Sequence, residues 1–100
     1  MVDIARPRFE LGRVVATPAA LSVLEASGQT PTEFLHRHAR GDWGDLSDGD
    51  REANEESLRD SSRILSAYIT NSGKKIWIIT EAVNDSDRRT STTILLPEEY

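Results

Sequence analysis

Apolar positions along this chain recur with two periods, and the change from one to the other predicts the order of its elements. In FELGRVVAT (9–17), Phe9 and Leu11 alternate with charged neighbours and Val14 and Val15 are good strand formers, so a first strand is expected there. Gly12 interrupts it in the manner of a bulge. At Thr17-Pro18 the period lengthens. Thr offers a side-chain oxygen to a first-turn N–H, and Pro in the first helical position loses nothing, because that N–H is unpaired anyway. Ala20, Leu21 and Leu24 fall on one face, and Gly28 marks the stop. A second start follows at Thr30-Pro31-Thr32-Glu33, where Thr30 and Glu33 have capping-box spacing. That helix carries Phe34, Leu35 and His38 and ends near Gly41.

Gly-Asp-Trp-Gly-Asp (41–45) reads as a turn-rich connector around Trp43. Ser47 with Asp50 starts a third helix that runs to about Asp60 and has few apolar residues, Ala53 and Leu58, with Leu46 just before it. A helix this polar buries little and turns most of its surface to water. From Arg63 the period shortens to two. RILSAYIT (63–70), a turn at Asn71-Ser72-Gly73 and KKIWIIT (74–80) predict a hairpin, with both faces of the second strand covered. Residues 84–91 are polar and read as a loop, Thr92–Leu96 makes a last strand, and Pro97 ends it. The expected fold class is α+β: an N-terminal strand, two to three short helices, then a three-stranded antiparallel meander, in a sheet of three to four strands.

Composition narrows this picture. One hundred residues suit a single domain over 1–100, with residues 1–7 expected to be disordered, and the apolar fraction of 37% predicts a thin core under a generous polar surface. The absence of cysteine excludes disulfides, thiolate nucleophiles and Cys-based zinc sites. The first residues lack the apolar stretch of a secretory signal, and the longest apolar run, Ile76–Ile79, is far short of the roughly 20 residues that span a bilayer. A cytoplasmic protein without a membrane partner is the expectation.

Charge is the most unevenly distributed property of the chain. Residues 42–60 hold eight acids (Asp42, Asp45, Asp48, Asp50, Glu52, Glu55, Glu56, Asp60) and two bases (Arg51, Arg59), a local balance of −6 within a chain of net charge −5. Such a surface disfavours direct nucleic-acid binding, which depends on Lys and Arg neutralising phosphates. It suits a protein partner with a basic surface, including a groove that otherwise holds DNA or RNA. A solvated helix face that keeps the protein in solution accounts for the same run.

Candidate chemistry is sparse. His36 and His38, two apart, point about 200° from each other on a helix and cannot share a metal ion, so one surface and one packed histidine are expected and no metal site. Asp42 and Asp45 have the makings of an acid/base pair, but their glycine neighbours Gly41 and Gly44 favour turn and capping duties. No serine sits in a recognisable nucleophile setting, and the glycines do not form a phosphate loop. Trp43, between two glycines beside the acidic helix, reads either as an exposed interface anchor or as a cover for one end of the core. Arg37, Arg40, Arg88 and Arg89 are available to pair with acids, and Trp77, mid-strand, is expected to pack.

The stretches LGRVVATPAAL (11–21), EFLHRHARGDWGDL (33–46), RILSAYIT (63–70), KIWIITEA (75–82) and TTILLPEEY (92–100) resemble a group of short bacterial proteins found on chromosomes, plasmids and prophages, often named "plasmid-related protein". The GDWGDL motif and the C-terminal LLPEEY carry the resemblance most specifically. Relative to that group the chain has a longer polar insert at Val83–Arg89, which reads as a tolerated loop. Some members are labelled restriction-modification subunits, but no methyl-donor or nuclease motif is visible here. The resemblance implies a mobile-element setting and supplies no site residues.

Together these features predict a small non-enzymatic binding module without cofactor. It would engage or inhibit a basic host nucleic-acid-handling or defence complex through Trp43, Asp45, Asp48, Asp50, Glu52, Glu55 and Glu56. The alternatives are a small enzyme or ligand-binding domain using Asp42, Asp45, His36 or His38, and a self-associating module, a homodimer, joined through an exposed sheet edge.

Overall fold

Local signals place all three helices. In a computed structural model that describes residues 7–100, α1 spans Pro18–Ala26, α2 Pro31–Ala39 and α3 Asp48–Asp60. The Thr17 hydroxyl oxygen accepts from the Ala20 N–H and that of Ser47 from the Asp50 N–H, closing the first turns of α1 and α3. Gly28 takes the left-handed conformation expected after α1 (φ 68°). The capping box at Thr30 and Glu33 is not formed. The Thr30 side chain caps nothing, and the Glu33 carboxylate accepts instead from the Gln29 carboxamide at 2.8 Å.

The strands are β1 (Arg13–Ala16), β2 (Ile64–Ile69), β3 (Lys75–Thr80) and β4 (Ser91–Leu95), in the order β1-β4-β3-β2. The meander β2-β3-β4 is antiparallel as predicted. The N-terminal strand corrects the expectation twice. It is shorter than Phe9–Thr17, because Gly12 turns left-handed (φ 65°) where the Arg89–Thr90 backbone leaves no room for a side chain, and Phe9 folds inward. It also pairs with β4 in parallel, Val14 opposite Thr92, so the sheet is mixed. The expectation of disorder over 1–7 falls, apart from the exposed Pro7, outside the described residues.

One sheet face carries the core. Ala20 and Leu24 of α1 and Phe34 of α2 pack on Tyr68, Ile76, Ile78 and Ile94, all but fully buried. Each such aliphatic or Phe side chain contributes roughly 1.5–3 kcal/mol. Among the described residues the opposite face has no α-helix across its centre. There the Trp77 ring is met edge-on by Tyr100, 5.7 Å between centroids, which a short 3-10 turn at Pro97–Glu99 brings over the sheet. Arg63 lies on the Tyr100 ring. The packing role expected for Trp77 therefore holds. Among the described residues no helix is long and apolar enough to cross a membrane.

Candidate functional site

The connector before α3 and α3 itself run along the outer edge of β2, and their first duty is to close it. The Ala67 N–H donates to the Trp43 carbonyl (3.1 Å) and the Ala67 carbonyl accepts from the Asp45 N–H (2.6 Å), so 43–45 adds a short parallel bridge. One residue pair along, Asn54 of α3 does the same with a side chain, donating to the Leu65 carbonyl at 2.6 Å and accepting from its N–H at 3.1 Å. A strand edge left open is a template for unwanted pairing, and here it is covered. Gly44 makes the approach possible: its φ is 78°, and a Cβ would overlap the Ala67 carbonyl. The Arg51 guanidinium donates to the Gly44 and Leu46 carbonyls and locks the turn.

Trp43 is 2% exposed, so it is no surface anchor. Its ring stacks near Phe9 (6.1 Å) and meets the His38 ring edge-on, covering one end of the core. Its indole N–H donates to Glu55 at 3.0 Å. Glu55 also takes a bidentate pair from Arg8 (2.9 and 3.2 Å), and these donors hold its carboxyl below the usual carboxylate range. Two of the residues expected to meet a partner, Trp43 and Glu55, are thereby committed within the fold.

The remaining acids divide. Asp45 is exposed and pairs with Lys75 at 3.2 Å, and Glu56 pairs with Arg59 at 3.1 Å. Asp48, Asp50 and Glu52 are exposed and make no ion pair among the described residues. Asp48 and Asp50 lie in the first turn of α3, where the helix dipole favours them. Asp48, Glu52 and Glu56 stand four residues apart on the outward side, each exposed, and form one row of carboxylates.

The packed histidine expected from the sequence is His38, and with Ser66, Thr80, Thr92 and Arg89 it supplies the interior polar structure. His38 is fully buried between Ser66 Oγ (2.6 Å from Nδ1) and Thr80 Oγ1 (2.8 Å from Nε2). Thr80 Oγ1 lies 2.7 Å from Thr92 Oγ1, which donates to the Leu11 carbonyl. Since that last acceptor is a carbonyl, each hydroxyl must donate toward it, and the chain has one sense. Thr80 donates to Thr92 and Nε2–H donates to Thr80. Burial, with Arg89 nearby, pushes the imidazole pKa down to about 3, so the ring is neutral at pH 7 and its Nδ1 accepts from Ser66. Arg89, at the end of the insert read as a tolerated loop, is 5% exposed and donates to the Ser57, Ser62 and Glu81 carbonyls rather than to an acid. The insert is thus tied into the core, and its neighbour Arg88 pairs with Glu10.

The residues of the enzyme alternative do not converge. Asp42 accepts from the Arg37 guanidinium at 2.7 Å and from the Gly44 N–H, Asp45 turns to Lys75, His38 is inside the core and His36 is on the surface. Arg37 holds the Asp42 carboxyl below its ordinary range, as a turn-capping carboxylate would be. A shallow depression of about 190 Å³ between α3 and β2 is lined by Asp50, Ala53, Asn54 and Leu65 and contains none of these four. Among the described residues no group of three His, Asp or Glu side chains is placed to hold a metal. Comparison with protein-family models, curated proteins and solved structures finds no match, so any function is read from this surface alone.

Proposed function

We propose that this chain is a small non-catalytic binding module that offers the outward side of α3 to a basic surface on a partner protein. The observation that carries this reading is the row Asp48, Glu52, Glu56, four residues apart and exposed, with Asp50 beside it. Like charges at that spacing weaken a helix by about 0.2–0.5 kcal/mol per pair, so the row is not there for the stability of α3. Glu52 and Glu56 also lie beyond the turn that the helix dipole rewards. The anchoring aromatic first expected at Trp43 is replaced in this reading by charge alone, which steers encounter and selects partners more than it tightens them. The resemblance to plasmid and prophage proteins favours a partner among the basic nucleic-acid-handling or defence complexes of a bacterial host, which this protein would engage or inhibit.

The test is capture from host lysate by the tagged protein at about 0.05 M and about 0.5 M salt, beside a variant with Asp48, Asp50, Glu52 and Glu56 all changed to Lys. Glu55 is left intact because it holds Arg8 and Trp43. The expected result is a basic partner retained at low salt, released at high salt and absent from the folded variant. Equal capture by both proteins would overturn the reading.

A further inference from the structure

The two edges of the sheet are treated differently. The β2 edge is covered at Ala67 by the Trp43–Asp45 bridge and at Leu65 by Asn54. At the other edge, β1 is held from one side only among the described residues. The Arg13 and Thr17 N–H groups donate to the Thr90 and Ile94 carbonyls, so in this parallel ladder residues 13, 15 and 17 face β4 while Val14 and Ala16 turn their N–H and C=O groups outward. Neither Val14 nor Ala16 has a hydrogen bond on that side among the described residues. Both flanks are uncovered as well: Val14, on the helix side, is 42% exposed and Val15, on the opposite side, 40%.

We infer that β1 is a strand-addition edge and that its occupant is β1 of a second copy of this chain, paired antiparallel about a two-fold axis. An added strand is the one kind of partner that meets the outward backbone groups and covers both flanks at once. The chain's own β1 has the matching pattern. With Val14 opposite Val14 of the second copy, Gly12 faces Ala16, and the helix-side flank is apolar throughout. Arg13 then stands opposite Val15, so no like charges meet across the junction.

The charge distribution suits this arrangement and no other edge. All the net acidity lies in 42–60, at the β2 side of the sheet, and the rest of the chain sums to +1. Joining two β1 edges makes an eight-stranded sheet with one α3 beyond each end, about 34 Å apart by strand spacing alone. That exceeds a Debye length of about 8–10 Å, so the two acidic helices do not oppose pairing. β1 carries few of the devices that blunt an edge: Arg13 at its start and Pro18 just beyond its end, which limits the ladder to a few residues. The dimer is accordingly concentration-dependent. This pairing is independent of whether α3 binds a partner.

Sedimentation from about 10 μM to about 1 mM tests it, together with hydrogen exchange of the Val14 and Ala16 amides. The mass should double from 11.1 kDa as concentration rises, and the two amides should slow in step with it. Val14→Lys and Val15→Lys, one on each flank, should each remain monomeric with unchanged circular dichroism; either suffices if the other fails to fold. A monomer with fast amides throughout overturns the inference. So does a dimer that survives both substitutions, and so do slow amides in a monomer, which would mean that another segment of the chain covers the edge. Amides that slow only when a different protein is added would identify that protein, rather than a second copy, as the occupant.

Discussion

The carboxamide of Asn54 lies against the backbone of Leu65 as a strand would, donating at 2.6 Å and accepting at 3.1 Å across the outer edge of β2. A side chain from an otherwise solvated helix thus satisfies one donor and one acceptor that the sheet leaves over. Asn54→Ala removes both partners of the half-buried Leu65 backbone and should cost about 1–3 kcal/mol. Asn54→Asp should cost at least as much, because its second oxygen faces the Leu65 carbonyl. Both variants should also aggregate more readily through the opened edge. Denaturant melts beside light scattering check this, with Glu52→Ala on the outer side of α3 as a control expected to be no less stable than the parent.

Two glycines of this segment should respond in opposite directions to the same change. Gly44→Ala forces a Cβ into the Ala67 carbonyl at a left-handed φ, and should cost about 2 kcal/mol or more. Gly49, in the first turn of α3, has an ordinary φ and open space around the missing Cβ. Gly49→Ala should therefore stabilise by a few tenths to about 1 kcal/mol. Equal effects at the two positions would mean that the turn at 43–45 is not held by its fit to β2.

The buried histidine sets a pH window. His38 binds a proton near pH 6.5 when unfolded and only near 3 when folded. Between those values the unfolded chain holds the extra proton. The stability that the neutral ring allows is complete above about pH 6.5 and is lost as pH falls toward 3, by up to about 1.4 kcal/mol per unit. Glu10, Asp42 and Glu55, each held below the ordinary carboxylate range, add their own losses only below about pH 5. The interval from about 6.5 to 5 therefore belongs to His38, and His38→Gln should flatten it. Imidazole nitrogen shifts in the parent should show the proton on Nε2, as the one-way chain to Leu11 requires.

Features decided within a few residues were legible in the chain. Thr17-Pro18 and Ser47 to Asp50 start helices because the capping atoms and the capped N–H groups are three residues apart. The alternation in 63–80 defines a hairpin because the turn joins neighbours. Features that depend on distant partners were not. The parallel placement of β1 beside β4 joins residues nearly eighty positions apart, and no local pattern encodes its direction. Asn54 and Arg89 look like surface residues until the edge and the carbonyls they satisfy are known. Trp43 carried two readings, and burial settled it, since its N–H finds Glu55 without leaving the core. The acidic row was visible as composition; that Glu55 leaves it for Arg8, while Asp48, Glu52 and Glu56 stay outward, needed the helix in place.

The sharpest separation of stability from function lies at Glu52. It stands four residues from Asp48 on one side and four from Glu56 on the other, on exposed surface. Glu52→Lys turns two repulsive neighbours into two attractive ones, and at about 0.2–0.5 kcal/mol for each pair of either sign it should raise stability by about 0.8–2 kcal/mol at low salt. The gain should shrink as salt is added, because every group involved is solvated. If α3 meets a basic surface, the same change should weaken that binding, since it sets a cation at the middle of the row. A variant that is more stable yet binds less is the mark of a residue kept for a partner rather than for the fold. A variant both more stable and unimpaired in partner capture would assign the row to solubility alone.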